Sequence, residues 1–325
     1  MGSNRKTIIL ITLGIFLAFL PIFTNNLCFI ARYSIINSNW NDEFDDNNLK
    51  ISAVSGKIHI DGNSGWAAFK AAGNCTGSGN YTHPYVIEDL VIDGDGSGSC
   101  ILIENSDVHF RIENCTCFNG GGSGNAGIEL NNVTKGKLVI NNCTTNYHGI
   151  YLDSCDNNTI TGNTANNNTW TGIHLRNCNN SIISGNTANN TLGHLNFPTA
   201  GIELYLSYNN LVSGNIANNN TLFGIFLAYS DNNNISGNTA NKNTKTGIRL
   251  FESNYNIISG NTLLKNSISC IREKYCKGNT FSDNGSCRYG QGDDTIPGFN
   301  LLLLLCIFSA IAIALLISKK IISKP

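Results

Sequence analysis

The chain has 325 residues, and charged residues make up 13% of them, about half the share in an average soluble domain. Glycine is abundant, with 33 residues, whereas methionine occurs once, and this composition is not typical of a helical enzyme. The formal net charge is −1, and no lysine- or arginine-rich run lies between the termini. The chain therefore lacks the basic field with which proteins bind phosphate backbones, and we exclude nucleic acid as a partner.

An apolar stretch, residues 7–23, follows two basic residues and has the length of a long signal-peptide core or of a short membrane span. No small-residue cleavage site follows it. Residues 1–25 are therefore interpreted as either a signal peptide or an uncleaved signal anchor. Residues 26–57 contain a cluster of acidic residues and asparagines and are interpreted as an acidic flexible linker.

A four-residue motif, Gly-Ile-x-Leu, recurs through the middle of the chain with a spacing of 22, 23, 29, 23 and 23 residues. A second motif, Ser/Thr-Gly-Asn-Thr/Ile, has the same period. A fixed period of this size predicts a solenoid. With degenerate copies at Cys100 and Cys270, we count about eight coils and assign residues 58–289 to this domain. The full copies of the first motif begin at Gly127, Gly149, Gly172, Gly201, Gly224 and Gly247.

The repeat is too short for a strand–helix pair and lacks the 3.6-residue apolar spacing of a helix. The predicted fold class is therefore all-β, a right-handed single-stranded parallel β-helix. Because side chains alternate along a strand, the Ile and Leu of the motif point inward and x points outward. The two predicted inward columns are Ile128, Ile150, Ile173, Ile202, Ile225 and Ile248, and Ile140, Ile160, Ile183, Val212, Ile235 and Ile258.

An asparagine recurs at one turn position of the repeat, where Asn tolerates a left-handed backbone and its amide can bond to the next coil. We interpret this column as an asparagine ladder that holds the turns in register, in preference to a site for a polar ligand. The long 29-residue spacing predicts a protruding loop of six extra residues between Asn190 and Ala200. The ladder consists of Asn163, Asn186, Asn215, Asn238 and Asn261.

The run Asn-Thr-Ile-Thr-Gly-Asn-Thr-Ala-Asn, which begins at Asn158, and its copies at Asn180, Asn233 and Asn256 resemble the parallel β-helix repeats of the NosD-type and pectate-lyase-like superfamily. The resemblance covers about residues 58–289 and implies the fold. Proteins with this pattern include polysaccharide lyases, hydrolases, epimerases, phage tailspikes, surface adhesins and a copper-site maturation factor. It therefore implies no single function.

Outward positions on the middle three coils carry polar and aromatic side chains together. Aromatic rings beside carboxylates and a guanidinium are typical of a glycan-binding groove. A lyase could use His174 or Arg176 with Asp153, and a hydrolase could pair Asp153 with Glu203, but neither set is distinctive. The predicted ligand-binding residues are Tyr151, Asp153, His174, Arg176, Glu203 and Tyr205.

Twelve cysteines favour an oxidising compartment, and disulfides are the first interpretation. Cys155 and Cys178 share one column and are predicted to form an intercoil disulfide, with stacked free thiols as the alternative. Cys115 is aligned with Cys143 as a second candidate pair. The six histidines are scattered, so neither a metal site nor a cofactor is expected.

Residues 290–298 are interpreted as a linker, 299–318 as a transmembrane helix and 319–325 as a cytoplasmic basic tail. A buried core helix is the alternative for the apolar stretch. The sequence Ile-Pro-Gly-Phe-Asn at its start also resembles archaeal surface-protein sorting tails with a Pro-Gly-Phe motif. Both flanking groups of cations favour a cytoplasmic side, so the repeats are expected outside the cell.

The sequence thus predicts a membrane-anchored cell-surface protein, non-catalytic, that binds polysaccharide or another cell-envelope partner. The first alternative is a polysaccharide lyase, hydrolase or epimerase acting on the same face. The second alternative is an accessory protein for metal-site maturation. Twelve Asn-x-Ser/Thr sequons are consistent with a glycoprotein but also arise by chance in a repeat rich in Asn and Thr.

Overall fold

The computed structural model describes residues 53–193, 197–285 and 289–291, which form a parallel β-solenoid with one short helix. Each coil contributes strands to successive sheets, and every strand pair between coils is parallel. The prediction of an all-β parallel solenoid of about eight coils is confirmed. The solenoid begins earlier than the predicted residue 58, because a coil that carries the helix precedes the repeats and its first strand is Ala53–Ser55.

The strands fall into three sheets, numbered here in chain order. Sheet 1 contains β1 Ala53–Ser55, β4 Leu90–Asp93, β7 Thr116–Phe118 and β10 Asn142–Cys143, and continues as single parallel bridges. Sheet 2 contains β2 Ile58–Asp61, β5 Ile101–Ser106, β8 Ala126–Val133, β11 His148–Asp153, β13 Thr171–Arg176, β15 Ala200–Tyr205, β17 Phe223–Ala228, β19 Thr246–Phe251, β21 Ser269–Lys274 and β23 Tyr289–Gln291. Sheet 3 contains β3 Tyr85–Glu88, β6 Phe110–Glu113, β9 Gly136–Val139, β12 Thr159–Thr161, β14 Ile182–Ser184, β16 Leu211–Ser213, β18 Asn234–Ser236, β20 Ile257–Ser259 and β22 Thr280–Ser282.

The core is the bore of the solenoid, filled by the inward apolar side chains of the strands, among them both the Ile and the Leu of each Gly-Ile-x-Leu motif. The isoleucines predicted to form the first inward column pair in register and are fully buried. Burying such β-branched side chains contributes about 1.5–3 kcal/mol each, which makes the bore the main source of stability.

The prediction of the second inward column is wrong at one position. Leu138, not Ile140, pairs with Ile160, and Ile140 is 52% exposed with a left-handed backbone. Leu138 lies 22 residues before Ile160, one repeat spacing, whereas Ile140 lies only 20 residues before it and is therefore out of register with the column. Ile140 takes the turn position that Gly162 holds in the next coil.

The predicted asparagine ladder is present, and it holds the coils in register. Each buried amide oxygen accepts hydrogen bonds from the Asn of the preceding coil. Each amide nitrogen donates to a backbone carbonyl of the preceding coil and to the Asn oxygen of the next coil. For Asn215, Nδ2 donates to Ile183 O and to Asn238 Oδ1, both at 2.9 Å, and Oδ1 accepts from Asn186 N and Nδ2, also at 2.9 Å. The left-handed residue of this turn is the preceding glycine, Gly214, and not the asparagine.

Further ladders run parallel to this one and were not recognised in the sequence. One ladder joins side chains, mostly asparagines, that immediately precede the strands of sheet 3. Another joins side chains, again mostly asparagines, that follow the strands and bridges of sheet 1. Buried amides in a solenoid must be paired, and stacking identical side chains pairs each with the next. The members are Asn158, Ser181, Asn210, Asn233, Asn256 and Asn279 in the first, and Asn146, Asn168, Thr191, Asn220, Asn243 and Asn266 in the second.

The predicted Cys155–Cys178 disulfide is absent, and both residues are buried free thiols. Each thiol donates to the carbonyl two residues earlier, at 3.1 Å, and Cys155 N donates to Cys178 Sγ at 3.3 Å. Ser207 occupies the same column in the next coil and makes the same bonds. Parallel side chains on stacked coils therefore serve as a hydrogen-bonding column here, and they do not converge into a disulfide.

The second cysteine pair was aligned incorrectly. Cys143 pairs with Cys117 in sheet 1, whereas Cys115 N donates to Asn141 Oδ1 at 2.9 Å and thus starts the asparagine ladder. Cys115 and Cys143 are both buried free thiols. Cys270, in contrast, is disulfide-bonded.

A helix, α1 Gly62–Ala71, interrupts the first coil and was not predicted, because it belongs to no repeat. Trp66 on this helix is fully buried and stacks on Tyr85 with ring centroids 5.2 Å apart. It also contacts Phe110. The helix therefore packs an aromatic cluster against the strands of the first coils.

The segments interpreted as signal or anchor, transmembrane helix and basic tail lie outside the described residues, as does most of the acidic linker. Among the residues that the structure does describe, no helix is both long enough and apolar enough to cross a membrane.

We expect Asn215→Ala to lower the free energy of unfolding by about 3 kcal/mol, because buried backbone groups at Ile183 and Asn186 lose a partner. Asn234→Ala, at an exposed position on the same solenoid, should change it by less than about 0.5 kcal/mol. Denaturant unfolding followed by circular dichroism measures both. Equal stability of the two variants would contradict a stabilising role for the ladder.

Candidate functional site

The outer face of sheet 2 brings all six predicted site residues together on β11, β13 and β15. Two outward columns are in register across these strands, and adjacent coils lie about 4.8 Å apart. Any ligand on this face therefore meets both columns at once. The columns are Tyr151, His174 and Glu203, and Asp153, Arg176 and Tyr205.

A third outward column was missed, because the sequence motif was counted from its glycine. His148 and Thr171 precede that glycine and pair in register. The His148 ring stacks on Tyr151 at 5.1 Å between centroids and lies 5.3 Å from His174. Strand alternation alone would point His148 inward, but a Cβ on Gly149 would meet Asn168 and Ala165 inside the solenoid, so the alternation breaks at the glycine and His148 lies outside.

The accessible part of the site is an ion pair beside a phenol. Arg176 Nη1 lies 3.4 Å from Asp153 Oδ2, with the arginine side chain 50% exposed. Tyr151 donates from its hydroxyl to Asp153 Oδ2 at 3.3 Å, and Asn177 Nδ2 donates to Asp153 Oδ1 at 3.4 Å. A hydrogen bond with Tyr151 and then the charge of Asp153 raise the pKa of Arg176. The guanidinium is therefore a permanent surface cation held at a fixed place.

The other half of the site is buried, which corrects the expectation of an open groove. Glu203 is only 6% exposed and accepts a hydrogen bond from Thr171 Oγ1 at 3.3 Å. Burial raises the pKa of Glu203 to about 8, so its carboxyl is mostly protonated at neutral pH. In-register neighbours His174 and Phe226 flank it, so this carboxyl is not a solvent-facing ligand group.

His174 is partly exposed, but both of its ring nitrogens are covered. Burial, and secondarily the charge of Arg176, lowers the pKa of His174 to about 4, so the imidazole is neutral near pH 7. Neither ring nitrogen has a hydrogen-bond partner among the described residues, and both nitrogens are buried. A general base must reach the proton that it removes. Glu203 and the ring nitrogens of His174 are therefore out of reach of a ligand, and Tyr151, Asp153, Arg176 and Tyr205 form the accessible surface.

A second aromatic row borders this face and was not recognised in the sequence. Tyr147 and Trp170 stack with centroids 5.7 Å apart and an interplanar angle of 12°. Trp170 also contacts Phe197, at the end of the predicted insertion, at 5.7 Å. Tyr147 meets His148 edge-on at 5.0 Å, which joins the two rows. The site is thus an ion pair at the border of a continuous aromatic surface.

We expect Glu203→Gln to stabilise the protein at high pH and to leave its stability unchanged at low pH. The pKa of Glu203 is about 8 in the folded protein and 4.5 in its usual range. The protonated carboxyl therefore stabilises the folded state fully below about pH 4.5, and this stabilisation is lost as the pH rises towards 8. Denaturant unfolding at about pH 4 and about pH 8 measures this difference. Glu88→Gln, at an exposed position, is the control. A pH-independent difference would contradict a buried, protonated Glu203.

Two solved β-helix structures are similar to this one. The periplasmic alginate epimerase AlgG aligns with a TM-score of 0.52 and 19% identity, over 66% of this chain and 65% of that chain. The C387A mutant of DFA-IIIase from Arthrobacter chlorophenolicus A6 aligns with a TM-score of 0.52 and 15% identity, over 62% of this chain and 56% of that chain. This chain therefore spans less than two thirds of either structure, and at such identity the likeness shows the fold alone.

A comparison with curated proteins finds no match. The family model described as periplasmic copper-binding protein (NosD) matches residues 22–194 and 88–285. These matches cover well over half of the chain and include every coil that carries the outer-face residues. The protein therefore belongs to the NosD family.

Proposed function

We propose that this protein is an extracytoplasmic, non-catalytic β-helix that binds a glycan on the outer face of sheet 2. The observation that carries the proposal is the Asp153–Arg176 pair, which joins two adjacent coils at the surface, with Tyr151 on the coil of Asp153 and Tyr205 on the coil after Arg176. Aromatic rings contact the apolar faces of sugars, while a carboxylate and a guanidinium bind hydroxyl or acidic groups. The periplasmic description of the family supports the location.

We further propose that the chain is held at the cell surface by its termini. The support is the sequence alone, namely the apolar segments 7–23 and 299–317 with their neighbouring cations. Its partners would then be a cell-envelope polysaccharide on one side and the membrane on the other.

A second candidate function is an enzyme that modifies a polysaccharide on the same face. The observation in its favour is His174, a neutral imidazole with unpaired nitrogens, in the column next to the cation Arg176. A base near a cation is what epimerisation or elimination next to a carboxylate requires. Two of the similar structures are named as an alginate epimerase and DFA-IIIase. This function requires a ring nitrogen of His174, both of which are covered, to become accessible to the substrate.

The copper in the family's description is a further alternative, but the described residues do not fit it. They contain no group of three or more His, Cys, Asp or Glu side chains that could hold a metal ion. His148 and His174 are 5.3 Å apart by ring centroids, and no third ligand completes a site with them in the described part of the chain. We derive no role for copper from this arrangement.

The binding proposal predicts that Tyr151→Ala and Arg176→Gln each weaken glycan binding about tenfold, because each removes one accessible contact. A glycan array probed with the full-length protein identifies the ligand, and calorimetry measures the affinity. Arg111→Gln is a matched control, since Arg111 is also half-exposed and paired with a carboxylate, but lies on sheet 3. Equal losses for Arg111→Gln and Arg176→Gln would contradict a site on sheet 2.

The same ligand also distinguishes binding from catalysis. We expect the full-length protein to leave the glycan unchanged, as followed by reducing-end, unsaturated-product and uronate-composition assays. Turnover that is abolished by His174→Ala or by Asp153→Ala would replace the binding proposal with the enzymatic one.

A further inference from the structure

The charges of the solenoid are segregated along the chain, although the whole sequence is nearly neutral. Residues 88–156 contain ten acidic and three basic residues, a net charge of −7. Residues 242–277 contain seven basic and two acidic residues, a net charge of +5. Because successive coils stack in sequence order, the last coils form a basic end and the early coils an acidic one. The basic end attracts polyanions, which the acidic end repels.

A row of four aromatic rings, two of them half-buried and two exposed, runs from the proposed glycan site to this basic end. Tyr205 meets Tyr229 at 5.7 Å, Tyr229 meets Phe251 at 5.5 Å, and Phe251 meets Tyr275 at 5.8 Å, all edge to face. We call these four residues the aromatic ridge. It spans four consecutive coils, about 14 Å along the axis. Tyr205 is also the in-register neighbour of Arg176, so the ridge is continuous with the accessible face described above.

Burial in the core does not explain why tyrosine occurs at the two most exposed positions of the ridge. Tyr229 is 37% and Tyr275 69% exposed. Both hold left-handed backbones, with φ of 52° and 58°, at the position where Asn177 stands in an earlier coil. Such a conformation disfavours bulky side chains by about 1–3 kcal/mol, and asparagine adopts it more readily. Leu206 and Glu252 hold the same left-handed position, so it is the exposure of the two rings, and not their backbone, that favours a contact outside the chain.

Lysines lie against the rings at the same end of the solenoid. Lys274 Nζ is 5.0 Å from the centre of the Tyr275 ring, and Lys277 Nζ is 5.9 Å from that of Tyr255. Tyr255 is 55% exposed and likewise has a left-handed backbone. Rings that stack on sugars and cations that pair with acidic groups thus occur side by side.

We propose that the aromatic ridge, with Lys274 and Lys277, binds one strand of an anionic polysaccharide that lies along the solenoid axis. The inference rests on the proposed glycan-binding function and adds the charge class of the glycan and its direction. Arg176 and Tyr205 bind one part of the strand, and Tyr229, Phe251 and Tyr275 bind the next units towards the last coils. The acidic coils that precede β11 exclude the strand from the opposite end.

The test compares charged and neutral derivatives of the same polymer on the full-length protein. Carboxymethyl cellulose is paired with hydroxyethyl cellulose, and dextran sulfate with dextran, so that a carboxylate ligand is distinguished from a sulfate ligand. We expect binding to at least one charged polymer, little to its neutral partner, and an affinity that falls with added salt.

Variants then locate the site. Tyr229→Ala with Tyr275→Ala, and Lys274→Gln with Lys277→Gln, should each weaken binding of the charged polymer about tenfold. Tyr81→Ala is the control for an exposed tyrosine outside the ridge, and Lys135→Gln with Lys137→Gln is the control for two cations on the acidic half. The controls should bind like the unchanged protein, and circular dichroism checks that all variants fold.

Other outcomes overturn the inference in distinguishable ways. If Arg176→Gln weakens binding but the ridge variants do not, the ridge is wrong and the proposed function stands. If the protein prefers the neutral polymers, the anionic ligand class is wrong and glycan binding stands. If only the association state changes in the ridge variants, the ridge is an interface between copies. If no glycan binds, the proposed function fails and the inference fails with it.

Discussion

The whole structure depends on in-register stacking of nearly identical coils, and the buried asparagine ladders enforce that register. Each ladder amide bonds to the amides of both neighbouring coils and to a backbone carbonyl, as Asn215 does with Asn186, Asn238 and Ile183. A shift of one residue in any coil would leave these buried groups unpaired, and each costs about 1–3 kcal/mol. The same register brings one outward residue from each coil into a column. The candidate face on sheet 2 therefore follows from the constraint that stabilises the fold.

The sequence predicted the fold because the fold is periodic. The isoleucine column and the ladder at Asn163 were both legible as fixed spacings, and both are present. The errors occur where the period breaks or where a residue belongs to no repeat. Ile140, which lies 20 rather than 22 residues before Ile160, is exposed instead of filling the bore, and α1 with Trp66 has no counterpart in other coils. Counting also misaligned Cys115 with Cys143, although Cys115 begins the asparagine column.

The candidate site was only half predictable. Strand alternation places Tyr151, Asp153, His174, Arg176 and Glu203 on the outside of the sheet, and the structure brings them together. Alternation does not say whether an outward side chain is covered. That depends on the sizes of its in-register neighbours, and here rings flank Glu203 and His174. The buried pair holds a protonated carboxyl and a neutral imidazole, whereas the ion pair of Asp153 and Arg176 stays accessible. This division favours recognition over catalysis.

Footprinting with hydroxyl radicals tests the central claim, that the outer face of sheet 2 binds a glycan, most directly. The full-length protein is oxidised with and without the glycan that it binds, and modified tyrosines are quantified by mass spectrometry. Our account predicts protection of Tyr151 and Tyr205, with no change at Tyr81, which is 78% exposed on the early coils. Equal oxidation of Tyr151 and Tyr205 in the free and bound protein would contradict it.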